Sequence, residues 1–433
     1  MKHLVLSLFF TAVFVNAAAA QSPSVIREVL PNGLVVLVRE DPAVGVVAAS
    51  LLVRSGSAFE TAETAGVTNF LQKMMLRGTK RHSALALAEA AEELGGTLEA
   101  SGDVDYAEIR GTALARHWES LLALIAEVAI EPTLPDPEIE RERVLILGQL
   151  QTRADQPFPR AFDAVLADLY GGHPYAWPAL GRPESVKGLR RDALLARYTE
   201  AYRADRMVLA VAGGVPRQRV IAAANRLFKR LPATSGAAAP PMAAAAPRGD
   251  RRLLERDARQ AQVLVGFLAP PVTHPDYAAM RVLAAVLGGG ASSRLFVELR
   301  DRRGLAYSTG VMTTNRMGPS LFLPYLGTAP ANAEAAVAGV LAEVNRLRQD
   351  RVEDRELARA KAWLLGNLAM DRRTSARHAW YLAFFELVGG GWDWPERFAR
   401  AVDAVTVDDL SRVADRYLGQ PTVVVLRPAD ASR

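Results

Sequence analysis

Metal, acid–base and nucleophilic chemistry each need particular side chains, and this 433-residue chain is sparing with them. It has no cysteine, which excludes a disulfide framework, a thiolate zinc site, an iron–sulfur cluster and a cysteine nucleophile. Any metal must therefore sit on histidine or carboxylate. His82, His117, His173, His274 and His378 each stand alone, with no second histidine at i+2, i+3 or i+4, and read as surface or packing residues. No Gly-x-Ser-x-Gly elbow is present. Gly288-Gly289-Gly290 lacks the spacing and the Lys-Ser/Thr of a phosphate-binding loop. It reads either as a helix C-terminal cap after Ala284-Ala285-Val286-Leu287 or as a turn letting a substrate strand approach the backbone.

The most informative segment is Gly66-Val67-Thr68-Asn69-Phe70-Leu71-Gln72-Lys73-Met74-Met75-Leu76-Arg77-Gly78-Thr79. Asn69, Gln72 and Lys73 stand at i, i+3 and i+4, so a helix places them on one face. From the residues alone they are the polar face of a helix whose apolar face holds Phe70, Leu71 and Met74.

This segment resembles the metal-binding helix of the pitrilysin/insulysin-type zinc peptidases, in the branch that includes mitochondrial processing peptidase. Members there typically read Gly-Leu-Ala-His-Phe-Leu-Glu-His-Met-Leu-Phe-Lys-Gly-Thr. In that HxxEH motif two imidazoles hold Zn²⁺ and the carboxylate between them activates a water. Asn69, Gln72 and Lys73 occupy those positions here. An amide cannot accept a proton near neutral pH. An ammonium ~4 Å from a dication is repelled by roughly 8 kcal/mol even at an effective dielectric of ~20. The family's third ligand is a glutamate on a later helix, where this chain runs Glu140-Arg141-Glu142-Arg143-Val144-Leu145-Ile146-Leu147-Gly148-Gln149-Leu150. Gly148 and Gln149 stand where two glutamates are usual. The resemblance thus implies a degenerate zinc site at Asn69, Gln72, Lys73 and Gln149, with no metal bound by this chain. Within that vestige, Lys73 pairing with Glu142 is the alternative to a solvated polar face.

A second segment, Leu287 to Ser308, resembles the same family's C-terminal block almost residue for residue, and the likeness extends over Pro31-Asn32-Gly33 and Gly56-Ser57-Ala58-Phe59-Glu60. Family members use an Arg and a Tyr seven apart in this block to bind substrate, and Arg300 and Tyr307 match them. A guanidinium fork and a phenol both donate hydrogen bonds to peptide carbonyls. Without the resemblance, Arg300 to Arg303 read as a basic surface helix capped at Gly304, with Tyr307 packed as a strand residue. The resemblance implies a non-catalytic chain that binds peptide through Arg300 and Tyr307 in a heterodimer, while an HxxEH-bearing partner supplies zinc and base. The alternatives are a structural or assembly subunit with no substrate and, more remotely, an enzyme with unrelated chemistry in the old cleft.

The elements that position these residues fall into two similar halves. Val186, Leu189, Asp192 and Leu194 are answered 216 residues on by Val402, Val405, Asp408 and Leu410, and each set leads to an apolar strand, Met207–Val211 and Val423–Leu426. The same offset sets Val46–Val53 against Gln262–Ala269. That register points to an internal duplication, with repeats far longer than a solenoid unit. Asn32-Gly33 between apolar runs signals a hairpin, and helical periodicity is clear over Leu85–Leu94, Trp118–Ala129 and Ala331–Leu347. The expected fold is α+β: a mixed or antiparallel sheet packed by helices, used twice, which the resemblance identifies with tandem α/β-roll domains forming half of a clamshell. The domains divide as 21–231 and 251–433, joined by the Pro/Ala/Gly-rich linker 232–250.

Residues 1–20 place Lys2 and His3 before the apolar run Leu4–Val15 and end in Ala17-Ala18-Ala19-Ala20, the pattern of a cleaved secretory signal. Export follows, to the periplasm in a Gram-negative host, without stable membrane insertion. A net charge of +5, with no basic run interleaved with aromatics, argues against nucleic acid as a partner.

Overall fold

A computed structural model describes residues 24–233, 245, 247 and 249–429. The leader at 1–20 and the central part of the linker lie outside the described residues. The first half carries strands β1 (Val25–Val29), β2 (Val35–Glu40), β3 (Val46–Val53), β4 (Thr97–Gly102), β5 (Ala107–Leu114) and β6 (Met207–Gly213). Its helices are α1 (Val67–Met75), α2 (Ala84–Glu93), α3 (Trp118–Ile130), α4 (Asp136–Asp155), α5 (Pro157–Tyr170), α6 (Pro183–Gly188), α7 (Arg191–Ala201) and α8 (Arg217–Leu227). The second half carries β7 (Arg251–Arg256), β8 (Ala261–Ala269), β9 (Ser308–Thr313), β10 (Ser320–Thr328) and β11 (Thr422–Pro428). Around them lie α9 (Tyr277–Gly288), α10 (Ala333–Gln349), α11 (Asp354–Asp371), α12 (Ser375–Leu387), α13 (Trp394–Ala404) and α14 (Val407–Tyr417).

The two sheets share one plan. Their orders are β1-β2-β6-β3-β5-β4 and β7-β11-β8-β10-β9. β2 runs parallel to β6 as β7 does to β11, and the remaining pairs are antiparallel in both. The expected hairpin is present, β1 pairing antiparallel with β2 around Asn32-Gly33. The offset of 216 matches the strands but not their pairing. Ala48 faces Ala212, whereas Leu264, its counterpart, faces Val424 rather than Pro428. A slip of four residues is even, so every side chain keeps its face.

That preserved face explains how the halves are held together. On one side of the first sheet, Val36, Val38, Ala49, Leu51 and Val211 pack against helices of the same half. On the other side, Ala48, Leu52, Ala210 and Ala212 pack under α12, which belongs to the second half. The second sheet returns the arrangement: α5, from the first half, covers Leu264, Leu323, Val424 and Leu426. α5 is suited to this because Ala161, Ala164, Val165, Asp168 and Leu169 recur at i, i+3, i+4, i+7 and i+8 and are all buried. Asp168 on that face pairs with Arg252 of β7. Further ties cross between the halves: Trp380 Nε1 donates to the Tyr106 hydroxyl at 3.1 Å, and Met317 N–H to Asp105 Oδ2 at 3.1 Å.

Candidate functional site

The start of α1 is tightly determined. Glu60, only 4 % exposed, accepts from Gly66 N–H at 2.7 Å and Thr68 N–H at 2.8 Å, taking up donors the helix cannot satisfy itself. Burial pushes the Glu60 carboxyl up from the ordinary range, and the two amide donors pull it back. Gly66 and Gly181 both hold positive φ and meet backbone to backbone, so a Cβ on Gly66 would lie 2.7 Å from the Leu180 carbonyl oxygen. Ser185 Oγ fastens the same corner by donating to Ala65 O at 2.6 Å.

From that anchor α1 runs between β4, α4 and α7. Phe70, Leu71 and Met74 are fully buried, as expected for its apolar face. The polar face departs from expectation. Asn69 is 6 % exposed and Gln72 is completely buried, so these side chains are not a solvated surface; only Lys73 is partly exposed. The cause is a buried tyrosine. Gln72 Nε2 donates to the Tyr202 hydroxyl at 2.7 Å, which turns the amide inward. Asn69 Nδ2 and Gln72 Oε1 are buried with no partner among the described residues.

Lys73 does not hold Glu142. Arg77, one turn further along, takes that carboxylate with Nη2 at 2.6 Å and Nε at 3.2 Å, both to Oε2. Glu142 is 2 % exposed, and the longer, forked side chain reaches it from the end of the helix. Sequence reasoning passed over Arg77 and Tyr202. Arg77 lay inside the quoted segment at i+4 from Lys73, while nothing local marks Tyr202, 130 residues on. Gln149 on α4 is exposed, one residue beyond Gly148, where an added Cβ would meet nothing within 4 Å. The structure therefore brings α1 and α4 together, but the four positions carry three amides, Asn69, Gln72 and Gln149, and the Lys73 ammonium, while the nearby Glu142 carboxylate is taken by Arg77. Such donors do not match zinc, which takes imidazole, thiolate or carboxylate.

The other constellation lies in the second half. α9 ends at Gly288 with Gly289 as its cap, so the glycine run terminates a helix. The chain then forms a π-helix over Phe296–Arg302, an uncommon geometry often found at functional sites. Arg300 is exposed on it, its guanidinium 4.6 Å above the Phe296 ring. Gly304 follows at positive φ. Tyr307 immediately precedes β9 and is 62 % exposed; its N–H donates to Gly327 O at 2.9 Å, leaving the phenol outside the sheet. β9 is the edge of the second sheet as β4 is of the first, flanked by α9 as β4 is by α1.

The comparisons agree with this architecture. A model described as insulinase (peptidase family M16) matches residues 35–182, and one described as peptidase M16 inactive domain matches 188–364. An uncharacterized zinc protease of Mycobacterium leprae is 31 % identical, the match covering 93 % of this chain and 91 % of that one. The chain belongs to the insulinase family. A second relative, an uncharacterized zinc protease of Mycobacterium tuberculosis, is also 31 % identical, with 94 % of this chain and 93 % of that one covered. Among solved structures, a protease from Helicobacter pylori superposes with a TM-score of 0.88 at 24 % identity, covering 94 % of this chain and all of that one. A peptidase M16 inactive domain from Pseudomonas fluorescens gives the same TM-score and identity, with 95 % and 99 % covered. These two establish the family's two-domain fold. The second family match begins before α7, in the segment that completes the first sheet, so family boundaries and sheet boundaries do not coincide.

Proposed function

We propose that the chain is a non-catalytic subunit of a heterodimeric metallopeptidase of this family. It contributes peptide binding through Arg300 and Tyr307, and an HxxEH-bearing partner supplies zinc and general base. One contrast carries the reading: Asn69 and Gln72, at two of the positions where the family holds metal, are buried in the protein's own packing, while Arg300 and Tyr307 stand exposed beside a sheet edge. Catalysis by this chain would need a base at Gln72, whose amide is committed to Tyr202. Binding needs only donors that reach a peptide backbone. A guanidinium and a phenol at the end of β9 suit an extended segment added to a sheet edge, where main-chain hydrogen bonds give affinity.

On this reading the assembly is exported with its substrate, and its zinc resides in the partner. Tagged protein recovered from its native host tests this by mass spectrometry and metal analysis. The expected result is an HxxEH homologue in near-equal amount, with zinc tracking that homologue. Stoichiometric zinc on this chain alone contradicts the proposal.

A further inference from the structure

A cavity of about 280 Å³ lies where the first turn of α12 crosses the first sheet. β3, β4 and β5 line it from one half, and Thr374, Ala376, Arg377 and Trp380 from the other. The register Thr97↔Thr112, Glu99↔Arg110 and Ser101↔Glu108 puts these β4 and β5 side chains on one face of the sheet. Thr97, Glu99, Arg110 and Thr374 are exposed at the rim, whereas Ser50 and Glu108 are buried beneath them.

Glu108 is the unusual member. Its side chain is 3 % exposed, yet only one of its oxygens is satisfied. Oε1 accepts from the Ser50 hydroxyl at 2.6 Å. Oε2 takes no hydrogen bond among the described residues, and Arg110 Nη1 stands 3.7 Å away. Unlike Gln72 Oε1, it is not sealed inside the protein: it keeps accessible surface, and Glu108 lines the cavity. The charges around it do not balance. Arg110 gives Nη2 to Glu99 at 2.6 Å, and Arg377 gives Nη2 to Asp371. Glu99, Glu108 and Asp371 thus share two guanidinium groups, which leaves one carboxylate in excess at the buried end. Burial raises the Glu108 carboxyl above its ordinary range, a cost that a bound cation relieves.

We propose that this cavity binds a primary alkylammonium, the charged head donating to Glu108 Oε2 and the short chain running out toward the rim. An ammonium carries three donors, and the Thr97 and Thr112 hydroxyls, 3.1 Å from each other, line the same space as further acceptors. The volume suffices for a chain of about four carbons, since an engineered cavity of about 150 Å³ holds benzene. The same chemistry is offered by a free amine and by a lysine side chain of a peptide lying along β4. The site is separate from Arg300 and Tyr307 and does not depend on their peptide-binding reading.

Titration of the full chain with n-butylammonium, 1-butanol and butyrate, followed by ligand-observed NMR, tests the assignment. The ammonium binds saturably and at least about 10-fold more tightly than 1-butanol, the value of a charge-assisted hydrogen bond, and butyrate does not saturate. Glu108→Gln keeps the side-chain shape but removes the charge, so it brings n-butylammonium down to the affinity of 1-butanol. Thr97→Lys, at an exposed rim position, supplies the chain's own ammonium and weakens n-butylammonium by a similar factor; it serves as the second variant if Glu108→Gln folds poorly. A lysine-containing pentapeptide that competes with n-butylammonium, where its norleucine counterpart does not, identifies a peptide side chain as the source. A lack of competition identifies a free amine. Failure of n-butylammonium to saturate the wild type, an affinity no greater than that of 1-butanol or butyrate, or binding unchanged in both variants overturns the proposal.

Discussion

Gln72 and Tyr202 form a buried hydrogen-bonded pair, 2.7 Å between amide nitrogen and phenol oxygen, with neither side chain more than 2 % exposed. This pair makes the Gln72 side chain of α1 part of the buried core. Tyr202 stacks on Tyr198, with ring centroids 4.9 Å apart, and the Tyr198 hydroxyl donates to the last carbonyls of α3. The amide is thus joined to a wider aromatic support. Tyr202→Phe leaves the Gln72 amide without its remaining partner and should cost about 1–3 kcal/mol. Gln72→Leu combined with Tyr202→Phe should recover most of that loss. Urea unfolding of the two single variants and the double variant measures the coupling.

Arg77, rather than Lys73, neutralises Glu142. Breaking a fully buried ion pair costs roughly 3–5 kcal/mol, and the partial exposure of Arg77 lowers the expectation for Arg77→Ala to about 2 kcal/mol. Lys73→Ala should change stability by less than about 0.5 kcal/mol. Denaturant midpoints of both variants decide between the two cations.

Two ionisable groups, Glu108 buried and His378 half-buried, give opposite pH dependences. Burial raises the Glu108 carboxyl above its ordinary range, although the Ser50 hydroxyl donates to it at 2.6 Å. Its folded pKa exceeds the unfolded value, so its contribution is full below the ordinary carboxylate range and is lost as pH rises through the folded pKa. Glu108→Gln should be more stable than wild type at pH 8, and the difference should shrink at pH 4. Burial, with Arg39 and Arg372 nearby, lowers His378 to about 4. Its contribution is therefore present above about pH 6.5 and lost as pH falls toward 4. His378→Gln should flatten the stability profile across that acid window in thermal melts.

The exchanged helices predict that damage appears in the opposite half. Leu169→Ala in α5 removes a fully buried side chain and should cost about 2–5 kcal/mol. Hydrogen exchange should then accelerate in β8 and β11, which α5 covers, and not only in α5. The matching change in α12, Phe384→Ala, should loosen β3 and β6.

Much of this architecture was legible in the sequence. The strands at Val46–Val53 and Gln262–Ala269 follow from near-continuous apolar runs in one register, and the helices around Leu85, Trp118 and Ala331 from period-3.6 patterns. The duplicated sheets follow from the constant offset. The exchange of α5 and α12 did not, because an amphipathic helix declares that it has a partner without declaring which sheet. The burial of Asn69 and Gln72 was hidden for a related reason. A polar residue on a helix reads as solvated unless its partner is known, and here the partner is a tyrosine 130 residues away. Arg300 and Tyr307 are singled out by the family resemblance alone, while the π-helix that presents Arg300 has no signature in residue type.

Peptide cleavage by this chain reconstituted with the HxxEH-bearing homologue proposed as its partner tests the central claim most directly. Arg300→Ala with Tyr307→Phe alters two exposed side chains, so folding and pairing should persist. The account predicts a fall of at least about tenfold in kcat/KM, which corresponds to roughly 1.4 kcal/mol of transition-state binding. An unchanged kcat/KM in the double variant, with the pair intact, would contradict it.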